Sequence, residues 1–443
     1  MSLRKLLVIV AVVCLGVVVA TVLILQLPSS QDGGTGAASG KVDTNGPVYA
    51  YITSQELVLM RGGAVVTRLS RIFDEADSSH NKVVWTHSGE YLALFSDVYA
   101  RQQDSSETQL ISINAQTGAI NRAPCSRCID LIPVGSNAIL STVNVPGKGY
   151  LYLRHDLTSP DSSPMEVNLL PNVSLVGSTP DYLVTTTGSL SQRQVLTLSQ
   201  VDGFSPKHVA SFDTDQQGNG VAHVQAVGGG PAQADIRIIF TRNLGRASSC
   251  SSDWQIVVAG IRDAPVSTDI SAAFPQGTTN NTRGGVIFND FWWGIDGRLR
   301  ATISSYTCDF SKDSLAEQEI LASPSSVWRL DGQKWIQEGQ EDKEPVRQAR
   351  QLDEATKLVL ITPDCYDPAA HPNDFQVWCN TGKLYLDSND HRVVISEATI
   401  SLFTPPAQSA NSKGGSPAQT PAEAATSTNL VYGRHKRHSR FDT

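Results

Sequence analysis

Long amphipathic helical patterns are absent from this sequence. Charged residues make up only 18% of it, below the quarter that is typical of globular domains. Glycine and proline are plentiful instead, at 34 and 22 residues, and the hydrophobic content of 40% is enough for a core. This combination argues against a helical protein and favours an all-β protein with many short strands and turns.

The sequence motifs of common enzymes are missing as well. There is no GxSxG nucleophile elbow, so a serine peptidase is not indicated, and there is no P-loop, HExxH or dinucleotide fingerprint. Nine histidines are scattered along the chain, and paired carboxylates are too common in loops to identify a glycosidase. We therefore predict no cofactor, and the sequence motifs give no support for enzyme activity.

The sequence also lacks a basic central region. The net charge is −8, while residues 1–27 contribute +2 and residues 429–443 contribute +3, which leaves −13 on the middle of the chain. A nucleic-acid-binding domain needs a basic face for the phosphates. The acidic body therefore argues against a nucleic-acid partner.

Only one long hydrophobic run is present, at residues 6–27, and it contains no charge. As a helix it would reach about 33 Å, enough to cross a hydrocarbon core of roughly 30 Å. We predict a retained signal anchor rather than a cleaved signal peptide, because apolar residues continue past the weak small-residue site at residues 18–20. Arg4 and Lys5 would keep residues 1–5 in the cytoplasm and leave the remainder outside it, on a single-pass cell-membrane protein.

Residues 82–120 set the pattern for the rest of the chain. Short runs at residues 83–85, 91–95 and 109–114 have high β-propensity, and polar or glycine-containing turns separate them. A fourth strand is expected after Gly118. Four short strands in about forty residues are typical of one blade of a β-propeller.

This blade resembles the repeats of TolB-like and WD-like propellers. Residues 85–94, WTHSGEYLAL, are similar to their Trp-Ser-Pro-Asp-Gly-x-x-Leu-Ala-Phe segment, and residues 113–118, INAQTG, to their closing Asp-x-x-Thr-Gly. His87 and Ser88 replace the Pro-Asp pair, and Asn114 replaces the aspartate. The second half is also similar to the repeat of quinoprotein-type propellers. The resemblance covers about one blade, and it implies a fold rather than a function.

The pattern recurs about every 40 to 55 residues, which predicts a propeller of about seven four-stranded blades over residues 47–405, with six or eight as alternatives. Residues 48–51 and 399–403 are candidates for the strands that close the ring. A flexible linker, residues 28–46, is expected before the propeller. A disordered Pro/Ala/Ser-rich segment, residues 406–428, and a basic tail, residues 429–443, are expected after it.

Six cysteines lie outside the predicted anchor, and an even number in an extracytoplasmic domain suggests disulfides. Fifteen pairings are possible in principle. Proximity in sequence favours Cys125 with Cys128 and Cys365 with Cys379, which leaves Cys250 with Cys308. The CxxC of Cys125 and Cys128 would also suit a redox pair or a zinc site. However, neither a helix N-terminus nor a second ligand pair is evident, so we favour a structural disulfide.

Two further clusters are candidate binding sites. Trp292 and Trp293 would suit a sugar or a peptide as an aromatic platform, but successive strand residues point to opposite faces, so at least one of them should be in the core. The acids and histidine of residues 364–374 would suit Ca²⁺. Their spacing matches no calcium loop, so we favour a solvated loop and predict no metal site.

The basic tail is the one cationic cluster, formed by Arg434, Lys436, Arg437 and Arg440. It would suit anionic polymer, lipid headgroups or the acidic propeller itself, although termini are usually loose. The sequence as a whole favours a membrane-anchored binding or scaffold module of a bacterial cell envelope, with a protein or glycan partner. The alternative is a hydrolase or lyase that acts on an envelope glycan or peptide at the channel of the propeller.

Overall fold

The structure is a computed structural model of the chain. It describes residues 46–73, 82–96, 108–147, 149–169, 173–187, 195–201, 206–213, 223–228, 236–248, 251–260, 265–274, 284–310, 317–338, 344–362, 381–388 and 391–406. Within these ranges, no helix is long and apolar enough to cross a membrane. The predicted anchor at residues 6–27 lies outside them.

The described residues form a β-propeller of seven four-stranded antiparallel blades, as predicted. We letter the strands of each blade A to D from the innermost outwards. In that order, blade 1 consists of β28 (Ser401–Phe403), β1 (Val48–Ile52), β2 (Glu56–Arg61) and β3 (Ala64–Ser70), and blade 2 of β4 (Val83–Trp85), β5 (Tyr91–Phe95), β6 (Gln109–Asn114) and β7 (Ile120–Pro124). Blade 3 consists of β8 (Cys128–Val134), β9 (Ala138–Val145), β10 (Gly149–Asp156) and β11 (Met165–Glu166). Blade 4 consists of β12 (Val173–Ser178), β13 (Tyr182–Thr187), β14 (Val195–Gln200) and β15 (Lys207–Asp213).

The remaining three blades follow the same order. They are blade 5 with β16 (His223–Gly228), β17 (Arg237–Ser248), β18 (Ser251–Gly260) and β19 (Val266–Ser267); blade 6 with β20 (Gly284–Trp293), β21 (Leu299–Phe310), β22 (Glu317–Asp331) and β23 (Lys334–Glu338); and blade 7 with β24 (Val346–Gln351), β25 (Thr356–Ile361), β26 (Gly382–Ser388) and β27 (His391–Thr399). A short 3-10 helix, Ser271–Ala273, follows blade 5.

The core is divided among seven hydrophobic clusters, one between each pair of neighbouring blades. This division follows from the two-residue period of a strand, which sends alternate side chains to opposite faces of a blade. In β1, for example, Ala50 and Ile52 pack against blade 2, whereas Tyr49 and Tyr51 pack against blade 7. Each blade is therefore buried on both faces, and the ring is held together by contacts between blades.

The ring is closed by the two ends of the chain, at the strands that the sequence suggested. The C-terminal strand β28 supplies the innermost strand of blade 1, and the N-terminal strands supply the other three. Ala50 pairs with Phe403 and Ile52 with Ser401. The innermost strands of blades 1 to 7 also contact one another in series from β28 through β4 to β24, and they surround the central channel.

Antiparallel pairing gives the propeller two distinct faces. The B–C turns and the connections between blades lie on one face, which we name the B–C face. The A–B and C–D turns lie on the other, which we name the A–B face. Gly118, in the C–D turn of blade 2, has a φ of +73°, and an added Cβ would lie 3.0 Å from the Val66 carbonyl oxygen of blade 1. Only glycine satisfies both conditions without strain.

Candidate functional site

The channel is the first place to look for chemistry, because the inner strands of all seven blades meet there. Their sequences contain only two carboxylates, Asp130 on β8 and Asp290 on β20. Asp130 forms an ion pair with Lys82, which directly precedes β4 of blade 2. This pair joins neighbouring blades, and both side chains are partly exposed, at 24% and 31% respectively.

Asp290 forms a second cross-blade ion pair, with Arg350 on β24 of blade 7. Both side chains are only 14% exposed. The Arg350 guanidinium also lies over the Trp292 ring, 4.9 Å from its centroid, and donates to the Ala349 carbonyl oxygen at 2.9 Å. Arg350 is thus held by a carboxylate, an aromatic face and a carbonyl group at once.

Blades 7 and 1 are joined in a similar way by an uncharged side chain. The Gln348 carboxamide oxygen accepts from the Leu402 backbone N–H at 2.9 Å and from Ser401 Oγ at 3.1 Å. These contacts fix β28, the strand that closes the ring. Among the described residues, no group of three or more His, Cys, Asp and Glu side chains is placed to hold a metal ion.

One serine–histidine pair lies on the A–B face beside the channel. His87, in the A–B turn of blade 2, places Nε2 3.2 Å from Oγ of Ser178, at the end of β12 in blade 4. Ser178 Oγ in turn donates to the Pro133 carbonyl oxygen at 2.6 Å. Burial lowers the pKa of His87 to about 4, against an opposing contribution from a hydrogen bond with the Pro133 backbone.

A second such pair is enclosed within blade 3. His155 Nε2 lies 2.9 Å from Ser141 Oγ and 3.9 Å from Cys125 Sγ. His155 is 6% exposed and Ser141 is fully buried. Burial lowers the pKa of His155 to about 4. An imidazole with so low a pKa is a weak general base at neutral pH, and the enclosed position of His155 keeps substrates away from it.

Cys125 and Cys128 are joined by a disulfide, with their Cα atoms 5.5 Å apart. It spans the short connection from β7 to β8, and both residues pack in the hydrophobic cluster between blades 2 and 3. Arg127, inside this turn, has a φ of +60°. Cys308 lies on β21, whereas Cys250, Cys365 and Cys379 lie outside the described residues. The pairing of these four stays a prediction.

The two tryptophans of the predicted aromatic platform lie on opposite faces of β20, because successive side chains of a strand alternate between its faces. Trp292 is 8% exposed and packs in the cluster between blades 6 and 7. Trp293 is half-buried and packs against the cluster between blades 5 and 6. The two rings therefore do not form one binding surface. The cations of the tail, Arg434 to Arg440, and the acidic loop at residues 364–374 lie outside the described residues.

Blade 5 carries an extended hairpin that the sequence analysis did not identify. Beyond Thr241, β17 has no pairing with the inner strand β16, and it continues to Ser248 paired only with β18. Seven residues of two-stranded ladder span about 20 Å at the usual rise per residue. The β-prone runs on either side, residues 236–242 and 254–261, are of ordinary strand length, so local sequence gave no signal of the extension.

Blade 6 is extended on the same side. Its strands β21 and β22 pair as far as Phe310 with Glu317, whereas the outer strand β23 pairs only with Val327–Asp331. Both extensions rise from B–C turns, so both stand on the B–C face. Neighbouring blades thus present two elongated hairpins on the face opposite to the chain ends.

No family model matches the chain, and no curated protein matches it. Similar solved structures include the β-propeller domain of the trilobed protease from Pyrococcus furiosus, at 10% identity and a TM-score of 0.42, with 71% of this chain and 85% of that chain covered. TolB from Acinetobacter baumannii is similar at 11% identity and a TM-score of 0.33, with 65% of each chain covered.

Peptidases with propeller domains are similar as well. A puromycin-hydrolyzing peptidase from Mycobacterium tuberculosis shares 10% identity at a TM-score of 0.41, and the match covers 80% of this chain but only 53% of the peptidase. The chain thus spans about half the length of that enzyme. At these identities the likeness concerns the propeller fold alone.

Proposed function

We propose that this protein is a membrane-anchored, extracytoplasmic β-propeller that acts as a binding or scaffold module in the cell envelope. Residues 6–27 would form its single-pass anchor, and the partner would be an envelope protein or glycan. The observation that carries the proposal is the pair of extended hairpins on blades 5 and 6. Loops held by a rigid scaffold are where binding function concentrates, and these two rise together from the B–C face.

In this proposal the two carboxylates of the inner strands hold the scaffold together. An acid–base site at the axis needs carboxylates or histidines that are available to a substrate. Asp130 and Asp290 are instead engaged with Lys82 and Arg350, in pairs that join neighbouring blades.

Removal of the blade 5 hairpin tests this proposal. Arg242 and Gln255 are cross-strand partners, so replacing residues 243–254 by Asn-Gly closes the hairpin with a two-residue turn. We expect cross-linking in intact cells, followed by purification of the full-length protein from membranes and mass spectrometry, to recover at least tenfold less partner. The thermal unfolding midpoint should be little changed, since the part of the ladder that is removed pairs with no inner strand.

Two control variants make this experiment specific. Replacing residues 146–148 of blade 3 by Asn-Gly shortens a B–C turn on the same face and should leave partner recovery unchanged. Cys250→Ser separates the loss of a cysteine from the loss of the hairpin. Equal recovery of the same partners by the shortened variant and by the unmodified protein would refute the assignment of the hairpin as the binding element.

A hydrolase or lyase acting on an envelope glycan or peptide is the second candidate, and the observation in its favour is the contact between His87 and Ser178 at 3.2 Å. Ser178 is an inefficient nucleophile here because its hydroxyl donates to Pro133. We expect Ser178→Ala to leave any turnover of envelope glycan fragments or peptides by the purified protein unchanged. A hundredfold loss, with unfolding unaltered, would favour the hydrolase over the scaffold.

A further inference from the structure

The outermost strand of blade 7 is the longest of the seven outermost strands. β27 has nine residues, whereas its six counterparts have between two and seven. It pairs with β26 on its inner side, and no strand among the described residues pairs with its outer side. A long strand edge of this kind is a template for another strand, because its backbone N–H and C=O groups can continue the ladder.

Apolar side chains are exposed along this edge. Val393 is 55% exposed, and its neighbour Val394 is 44% exposed. Since successive side chains of a strand point to opposite faces, blade 7 is apolar on both faces at its rim. β-Branched residues pair well across strands. Edges that stay single are usually short or charged, so the adjacent valines indicate an edge that a further strand covers.

The charged residues of β27 stand on either side of these valines. His391 and Arg392 begin the strand, and Glu397 follows the apolar centre. Arg392 forms ion pairs with two carboxylates of its own blade, whereas Glu397 forms one with Lys383 and is 67% exposed. The beginning of the strand therefore carries the cationic side chains, and the exposed carboxylate lies towards its end.

From these features we propose that β27 pairs with β27 of a second copy of this chain in an antiparallel ladder, which joins the two copies of blade 7 into one eight-stranded sheet. Such an interface is isologous, because the same strand serves both copies. When Val394 lies opposite Val394 of the second copy, Val393 faces Ile395 and His391 faces Glu397. The apolar residues then meet at the centre, and no like charges lie opposite each other. An unrelated partner would not require this self-complementary order in β27.

The shape of β27 sets the length of the ladder. The strand is bulged against β26 at Ile395 and again before Thr399, and Thr399 is fully buried. Bulges bend a strand, and here the chain continues directly into β28 of blade 1. The intermolecular ladder is therefore limited to residues 391–397. An interface of this size belongs to the weak and reversible class, so we expect a dimer that depends on protein concentration.

Cysteine cross-linking tests the interface. Val394→Cys places two thiols opposite each other in the dimer, at a Cα separation that a disulfide allows. We expect the full-length protein in detergent, oxidised at micromolar concentration, to give at least tenfold more disulfide-linked dimer than Val65→Cys. Val65 is the matched control, because it is a valine on the outermost strand of blade 1 and is 43% exposed. The unmodified protein measures any cross-linking through the native cysteines.

Charge exchange tests the orientation. Glu397→Lys removes the carboxylate opposite His391 and places a cation there, twice in a symmetric dimer. We expect it to lower the association constant, measured by sedimentation velocity, by about threefold or more. H391E/E397K restores opposite charges across the interface and should recover the association. Both variants lose the contact of Glu397 with Lys383, so the recovery cannot arise within one blade.

Four results would overturn the proposal. Equal cross-linking of Val394→Cys and Val65→Cys would exclude β27 as the contact between copies, as would a protein that stays monomeric at every concentration. A thiol introduced by Val394→Cys that resists maleimide in the dilute monomer would show that another part of the same chain covers the edge. A disulfide from that thiol to a different protein in intact cells, without the homodimer, would assign the edge to another partner.

Discussion

Replacing Arg350 by glutamine is expected to lower the free energy of unfolding by about 3 kcal/mol. The substitution leaves the Asp290 carboxylate, only 14% exposed, without its cation. It also removes the guanidinium from the face of Trp292. Because the pair joins the inner strands of blades 6 and 7, the substitution weakens the contact between these two blades.

Chemical denaturation of the full-length protein in detergent, followed by tryptophan fluorescence, measures this effect. Arg68→Gln is the matched control, since Arg68 pairs with Glu56 at the surface with 51% of its side chain exposed. We expect that control to change stability by no more than about 0.5 kcal/mol. The double variant D290N/R350Q should recover part of the loss, because no uncompensated charge then remains. Equal losses of unfolding free energy in R350Q and R68Q would disprove the prediction that the ion pair of Asp290 and Arg350 stabilises the fold more than a surface pair does.

Stability is expected to fall by about 2 kcal/mol between pH 7 and pH 5 on account of His155 alone. Burial lowers its pKa in the folded protein to about 4, whereas the unfolded chain has an ordinary value near 6.5. Between about pH 6.5 and pH 4, His155 is therefore protonated in the unfolded state but neutral in the folded state. The stabilisation is fully present above pH 6.5 and is lost as the pH falls towards 4. His87 acts in the same direction.

Comparison of two variants at both pH values isolates this contribution. His155→Gln removes the titrating group, so its unfolding midpoint should depend less steeply on pH than that of the unmodified protein. Ser141→Ala removes a hydrogen-bond partner of His155 but leaves the imidazole in place. It should lower stability at both pH values and retain the steep pH dependence. If the unfolding midpoint of His155→Gln depended on pH as steeply as that of the unmodified protein, His155 would not be the cause of the pH dependence.

Local sequence was sufficient to predict blade 2 almost to the residue. Three of its strands begin and end where the pattern placed them, because each is a short β-prone run between turn formers. The seven-fold repeat followed from spacing. The ring closure followed from the resemblance to propellers, which implies that the N-terminal strand of the domain completes the last blade, with residues 48–51 and 399–403 as the candidates.

The candidate sites depend on contacts that local patterns do not contain. His87 and Ser178 are 91 residues apart in sequence, and Asp290 and Arg350 are 60 apart. The packing of Trp292 and Trp293 on opposite faces was predictable from the period of a strand. The blade against which each ring packs could not be predicted, because that requires the order of the blades. The extended hairpins were overlooked since strand length is set by cross-strand pairing as well as by propensity.

The order of synthesis has a consequence for this ring. Residues 401–403 complete blade 1, and Leu402 joins Tyr49 and Tyr51 in the cluster between blades 7 and 1. Those tyrosines belong to the first described strand, yet their packing partner on β28 is among the last described residues of the chain. During synthesis, these strands therefore stay without that partner until almost the whole propeller has been made. A nascent chain that stops short of β28 keeps an open ring with an exposed apolar seam, a form that chaperones and proteases can distinguish from the finished protein.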